Sequence, residues 1–269
     1  MKKSLFLSLF VCCFGFSSQG QGIFQPKQFN SPQSKGIVYN KEFTIDVRLH
    51  TNGFAFAANF GKIKTYYKTR YYHLEIGEIR HAKQERQNRD WAGWSNSKSS
   101  KSFFLGKRNS LYVVRAGIGE KRYFSEKARE KGLAIGMSYE AGPSIGLLKP
   151  YYLEIIRPTD DPSEFAVTSE KYSSENASEF LDFYSIYGSS GFTKGIGEVR
   201  PLLGLHGKLG VHFDWGAFDE YVKAMDVGIM MDLYFKKVPI MVENDAITNS
   251  ENHPFFINLY LTLQLGKRS

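Results

Sequence analysis

The sequence has very little cysteine, and it has no long apolar run beyond its N-terminal segment. Its two cysteines, Cys12 and Cys13, are adjacent and lie within that segment. The rest of the chain therefore cannot form internal disulfides, which excludes a disulfide-stabilised extracellular scaffold. Mean hydropathy is −0.34, and no later segment approaches the roughly 20 apolar residues that a membrane-spanning helix needs. A helical membrane protein is excluded as well.

The N-terminal segment has the pattern of a secretory signal peptide. Lys2 and Lys3 precede an apolar run from Leu5 to Phe16, and small residues follow up to Gly20. Such a run is too short to span a bilayer and is typical of a cleaved export signal. We predict a signal peptide at residues 1–20 and an extended lead-in, rich in Pro, Gln and Asn, at residues 21–41.

The formal net charge is +8, and such a basic excess often indicates a nucleic-acid partner. The charges are scattered along a chain that is predicted to be exported. We therefore expect no nucleic-acid partner.

Apolar and polar residues alternate strictly in the final segment, Pro254 to Leu265. Phe255, Ile257 and the leucines from 259 to 265 share one face of a strand, and polar residues share the other. This period of two is typical of the strands of a transmembrane β-barrel, where one face meets lipid and the other meets the lumen.

Alternating segments of the same kind recur through the chain and are separated by turn residues. There are nine candidates: 43–50, 54–60, 64–79, 111–124, 133–141, 145–156, 203–215, 221–235 and 255–265. Bacterial barrels normally have an even number of strands, so we expect about ten, within a range of 8 to 12, with the missing strand between 164 and 187. This count leaves open which side of the membrane residues 80–110 occupy.

A soluble β-sandwich also alternates, but its outer face is typically rich in long charged side chains. Here the polar faces are rich in glycine, as in Gly204, Gly210 and Gly228, and this composition suits the crowded interior of a small barrel. We predict an all-β fold, an antiparallel transmembrane β-barrel spanning residues 42–266.

The polar faces also carry charges of both signs, which we predict line the lumen. A charge-selective pore tends to show rings of one sign, whereas mixed charges in a narrow barrel pair with one another and close it. We expect a closed lumen, with a narrow channel or transport protein as the alternative. The predicted luminal residues are Asp46, Arg48, His73, Glu75, Arg115, Glu140, His206, Lys208, His212, Asp214, Asp226 and Asp232.

Neither metal binding nor catalysis has a strong signal. His206 and His212 share a face, but six residues at ~3.3 Å each place them about 20 Å apart, too far to share a metal ion. His212 and Asp214 are near neighbours and leave an acyl hydrolase of envelope lipids, using Ser138 or another luminal serine, as a weaker alternative. We expect no enzyme activity, no metal and no cofactor.

One segment, Arg80 to Arg108, combines basic and aromatic residues. It suits the phosphates of lipopolysaccharide or an acidic protein surface, although a solvated loop explains the same composition. The residues that we predict for anion or partner binding are Lys83, Arg86, Arg89, Trp91 and Trp94.

The signal peptide, the tyrosine-rich alternating strands, the Gly142–Pro150 region and the leucine-rich last strand ending in Gly-Lys-Arg together resemble outer-membrane β-barrel proteins of Gram-negative bacteria. The resemblance implies an outer-membrane location and contact with outer-membrane lipids, including lipopolysaccharide. The role that we expect is structural, or is interaction with other envelope proteins.

Overall fold

The structure is a computed structural model, and it describes residues 39–65, 67–88, 100–124, 132–158, 165–217, 219–243 and 251–269. The predicted signal peptide, most of the predicted lead-in, and Arg89, Trp91 and Trp94 of the basic loop lie outside these residues. Among the described residues, no helix has the length and apolarity needed to cross a bilayer.

Eight antiparallel strands form a closed barrel. The barrel strands are β1 (Lys41–His50), β2 (Gly53–Thr65), β3 (Lys68–Ile79), β6 (Asn109–Tyr123), β7 (Ala134–Pro150), β11 (Arg200–Asp214), β12 (Tyr221–Tyr234) and β13 (Phe255–Arg268). Around the barrel the order is β1, β13, β12, β11, β7, β6, β3, β2. The first strand, β1, pairs with β2 on one side and with β13 on the other, and this pairing closes the sheet.

The barrel has an apolar outside and a polar inside. In β1, Ile45 and Leu49 point outward and are 55% and 58% exposed, whereas Asp46 and Arg48 are 0% and 1% exposed. A soluble sandwich would bury its apolar face instead. The pattern is that of a barrel whose outer wall meets hydrocarbon and whose inner wall is polar, so the predicted barrel, and not the sandwich, is correct.

The strand number is at the lower limit of the predicted range. The candidates 133–141 and 145–156 are largely one strand, β7, so no turn separates them at residues 142–144. Pairing with β6 is interrupted opposite Gly142 and Pro143, but β11 pairs with both residues and keeps the strand continuous. Pro143 has no N–H to donate to a neighbouring strand. Its pairing with β11 on one side is enough to keep it within β7.

The strand predicted between 164 and 187 is not part of the barrel. Residues there form β9 (Phe165–Lys171) and β10 (Ile186–Ser189), which flank β8 (Tyr152–Pro158) in a separate three-stranded sheet. A two-stranded piece, β4 (Arg86–Gln87) with β5 (Phe103–Phe104), lies in the link between β3 and β6.

The long links share one end of the barrel. In an antiparallel barrel, the links after β1, β3, β7 and β12 lie at one end, and both the start of β1 and the end of β13 lie at the other. The described residues of the link 80–108 therefore lie at the same end as the described residues of the links 151–199 and 235–254. The links after β2, β6 and β11 lie at the end where Tyr39 and Ser269 are found.

The links at the long-link end fold around an apolar core of their own. The three-stranded sheet, a short helix α1 (Ala177–Leu181) and β5 enclose buried side chains from each of these elements, and we call this part the loop head. Its fully buried core consists of Phe103, Leu153, Ile155, Phe180 and Ile186.

Candidate functional site

The middle of the lumen is filled by interlocked ion pairs. Glu75 of β3 accepts hydrogen bonds from both Arg48 of β1 and Arg115 of β6. Arg115 also donates two hydrogen bonds to Asp232 of β12, at 2.7 and 2.8 Å. The side chains of Arg48, Arg115 and Glu75 are at most 1% exposed. Such buried charges are tolerated only when they are paired, and here each has its counter-charge.

A second group surrounds Glu140 of β7. Lys208 lies 3.0 Å from its carboxylate, and His73 and His206 lie 3.2 and 3.4 Å from it. Asp46 accepts hydrogen bonds from the side-chain amides of Asn59 and Gln264 at 2.8 and 3.0 Å.

A third group lies toward the short-link end of the lumen. Glu42 pairs with Lys121 at 2.8 Å and with Arg268 at 2.9 Å. Arg268 also pairs with Asp214, to which Tyr123 donates a hydrogen bond, both at 2.8 Å. The twelve residues named from sequence all lie in the lumen. Glu42 and Arg268 were missed, although continuing the alternation of β1 by one residue and of β13 by three would have found them.

Aromatic rings fill the space between the charged groups. Tyr71 and Tyr260 lie directly over Gly119 and Gly210, where an added Cβ would come within 2.3 and 2.1 Å of the ring or its hydroxyl. The luminal glycines thus make room for tyrosines, and the interior is filled by its own side chains.

The long-link end of the lumen is closed by an apolar plug. Val238, Ile240 and Met241, from the link between β12 and β13, pack against luminal residues such as Leu111 and Leu148. Every member of this cluster is at most 6% exposed. The Asn252 side chain accepts hydrogen bonds from the N–H groups of two plug residues, Ile240 at 2.9 Å and Met241 at 3.1 Å. The plug is therefore fixed in the barrel mouth.

The residues considered for catalysis lie inside the barrel. His212 contacts Asp226 at 2.6 Å, whereas Asp214, its predicted partner, is 4.0 Å away. The other ring nitrogen of His212 lies 3.2 Å from the Tyr123 hydroxyl. Ser138 is 0% exposed, so it lies away from the outer wall where lipid acyl chains would be. Among the described residues, no group of three His, Cys, Asp or Glu side chains has a geometry that could hold a metal ion.

A basic cleft lies on the outer rim of the barrel at the long-link end. We call it the rim cleft. Its volume is about 670 Å³, and the ends of β3, β6 and β7 and part of the loop head form its walls. Its charged lining residues are Glu78, Arg80, Arg86, Lys101, Lys107 and Lys149. Of the predicted anion-binding residues, Arg86 lines the rim cleft. Lys83 is not among the residues that line it.

Lys107 is the most enclosed cation of the rim cleft. It is 3% exposed, and its ammonium lies 4.8 Å from the centre of the Phe104 ring and 5.2 Å from that of Tyr151. Burial lowers the pKa of Lys107 to about 8, because an ammonium loses hydration there; Glu78 opposes the shift, and Arg80 and Lys149 add to it. A bound anion would raise this pKa again.

No family model and no curated protein matches the chain. Among solved structures, it is similar to Ail, the attachment invasion locus protein of Yersinia pestis, with 7% identity, a TM-score of 0.37, and coverage of 87% of this chain and 100% of Ail. It is also similar to the N-terminal β-barrel domain of Pseudomonas aeruginosa OprF, with 8% identity, a TM-score of 0.33, and coverage of 86% and 98%. A third is Neisserial surface protein A, with 7% identity, a TM-score of 0.34, and coverage of 86% and 95%.

The barrel is closed, its eight strands are antiparallel, and its outer wall is apolar around a charged lumen. The chain has the architecture of the outer-membrane β-barrels that its sequence resembles.

Proposed function

We propose that the chain is an integral outer-membrane protein, exported by the predicted signal peptide, whose barrel is a closed anchor for the loop head. Its role is structural or is interaction with an envelope complex. The observation that carries this proposal is the double closure of the lumen, by the ion pairs around Glu75 and by the apolar plug at Ile240. The loop head, built from links beyond the barrel strands, is the part that we propose for interaction.

Closure of the lumen leads to a prediction about conductance. An ion can pass only where it finds water or fixed ligands along the whole path, and the Glu75 carboxylate and the Arg115 guanidinium are already occupied by each other. We expect a flat record from the purified protein in planar bilayers at all voltages. A known porin in the same bilayers is the control. Reproducible single-channel steps would contradict the proposal and favour the channel alternative.

The interaction role leads to a second prediction. In the loop head, β9 is an edge strand that pairs only with β8 within the described residues, and Val167 on it is 43% exposed. An exposed apolar side chain on a free strand edge is a common docking point for another protein. We expect affinity purification from outer membranes to recover a stoichiometric partner, and we expect Val167→Glu to reduce that recovery several-fold.

The control for this experiment lies on the same strand. Ala166 is also exposed, and it points to the opposite face of β9. Ala166→Glu adds the same charge there and should leave the recovery of the partner unchanged. Equal loss with both variants would indicate general disruption of β9. Recovery of the wild-type barrel alone would count against the interaction role.

A further inference from the structure

The rim cleft lies on the side of the barrel that faces the membrane. Along a strand, residues two apart share a face and lie ~7 Å from each other. Glu78 therefore shares the outer face of β3 with Ile76, which is 58% exposed, and Lys149 shares that of β7 with Ile145, which is 40% exposed. The floor of the rim cleft thus continues directly into the apolar outer wall. A ligand in the cleft would sit where the headgroups of surrounding lipids lie.

The charge of the rim cleft is strongly positive. Five cations line it, and the one carboxylate among its lining residues, Glu78, pairs with Arg80 at 2.9 Å. Four cations therefore remain without a carboxylate from the lining. Arg86 donates a hydrogen bond to the Ser102 hydroxyl at 2.7 Å, a neutral partner that does not compensate its charge.

Two of these cations are buried at the wall of the rim cleft. Lys107 and Lys149 are 3% and 6% exposed. Glu78 offsets part of the burial of Lys107, but its carboxylate is already paired with Arg80. The Lys149 ammonium lies 4.4 Å from the centre of the Phe192 ring. Burial of an ammonium without a counter-charge is costly, and an anionic ligand would remove that cost. Ring contacts alone replace only part of the lost hydration.

The walls of the rim cleft are held by backbone hydrogen bonds from several links. The N–H of Tyr151 donates to the carbonyl of Arg108 at 3.0 Å, and the N–H of Arg108 donates to the carbonyl of Ile240 in the plug at 2.8 Å. The N–H of Phe104 donates to the Tyr151 hydroxyl at 3.3 Å. The segments that bear the cations are therefore hydrogen-bonded to one another, and the protein itself fixes the shape of the rim cleft.

We propose that the rim cleft binds the phosphorylated headgroup of a membrane lipid, with its acyl chains lying on the outer wall of β3 and β7. Lys107 and Lys149 bind the phosphate oxygens from the inner side, and Arg86 of β4 and Lys101, just before β5, bind them as well. The volume of about 670 Å³ is within the usual range of small-ligand sites. The lipid part of this inference rests on the proposed membrane insertion.

The test measures binding of the refolded full chain in micelles of a non-ionic detergent. The probes are diphosphorylated lipid A, the same lipid without its phosphates, and inorganic pyrophosphate. We expect diphosphorylated lipid A to bind at least about tenfold more tightly than the other two probes, because charge-assisted hydrogen bonds to phosphate are strong. We expect Lys107→Gln and Lys149→Gln each to weaken its binding about tenfold.

The control variant is Lys223→Gln, which removes an exposed lysine from the outer face near the opposite rim and should leave binding within about twofold of wild type. Should Lys107→Gln fail to fold, Lys101→Gln at the exposed side of the rim cleft provides the same comparison. Equal binding of the two lipid A forms, or loss with Lys223→Gln equal to that with the cleft variants, would overturn the proposal. Pyrophosphate could also bind as tightly as the lipid and lose affinity to the same extent in the cleft variants. That result would overturn the proposal of a lipid ligand and assign the site to a free phosphate.

Failure of the membrane anchor gives a different result. Insertion into lipid vesicles is scored separately, by the gel mobility of the heated and unheated protein. A chain that does not insert contradicts the proposed function. The pyrophosphate measurement still reports on the rim cleft in that case.

Discussion

Glu75→Gln is expected to reduce the free energy of unfolding by about 3–5 kcal/mol, the usual cost of removing one partner from a buried ion pair. Glu75 is the shared acceptor of Arg48 and Arg115, and all three side chains are almost fully buried. In the variant Arg115 keeps Asp232, but Arg48 loses its paired carboxylate. It keeps a 2.8 Å hydrogen bond to the neutral Thr262 hydroxyl and a position 5.2 Å from the centre of the Tyr260 ring. The measurement is equilibrium unfolding by urea in lipid vesicles.

A matched control for this variant is Glu220→Gln. Glu220 pairs with Lys267 at 3.0 Å, and both side chains are about half exposed. We expect a loss below about 1 kcal/mol there, because solvent screens exposed pairs. Adding Arg48→Met to Glu75→Gln removes the orphaned cation and should restore part of the lost stability. Equal losses in the two single variants would show that the luminal ion pairs do not hold the barrel together.

Leu261→Arg is the second change with a large expected effect. Leu261 lies near the middle of β13 on the outer face, between Leu49 of β1 and Val227 of β12, which are apolar and exposed as well. An arginine on the lipid face near the bilayer midplane costs about 2–4 kcal/mol. We expect this loss in unfolding measurements from lipid vesicles.

The control substitution for the lipid face is Phe255→Arg. Phe255 is the first residue of β13 and is 52% exposed on the same face. Near the interface the cost falls to about 0–1 kcal/mol. A Leu261→Arg protein as stable as wild type, or a wild-type chain that stays monodisperse without detergent, would contradict insertion in a membrane.

The faces of the strands could be predicted from the sequence because alternation is local. In β11, for example, Leu205 points outward and His206 inward, as the period of two requires. The number of strands could not be predicted in the same way. Gly142 and Pro143 have turn chemistry, but pairing with β11 overrides it. The segment 165–171 has the local pattern of a strand, and only its pairing with β8, itself outside the barrel, places it in the separate sheet.

The luminal residues could be predicted, but their pairing could not. His212 was paired with Asp214, its neighbour along the strand, whereas its contact is with Asp226, its ladder partner in β12. Which side chains meet across two strands depends on how the strands are aligned, and the sequence of one strand does not specify that alignment. Of the described residues named for anion binding, Arg86 lines the rim cleft and Lys83 does not, although other cations of the segment Arg80 to Arg108 line it as well. Lys107 and Lys149 come from segments that are far apart in sequence, and the fold alone brings them together.

The ion pairs of the lumen have a consequence for how the protein is assembled. Four charged residues of the lumen come from four different strands, namely Arg48 from β1, Glu75 from β3, Arg115 from β6 and Asp232 from β12. A hairpin contains only two strands, so no single hairpin brings all four charges together. A partly assembled sheet inside a bilayer would expose unpaired charged side chains to hydrocarbon, which is costly. Insertion is therefore expected to proceed as one concerted step, with the first and last strands meeting as the charges leave water.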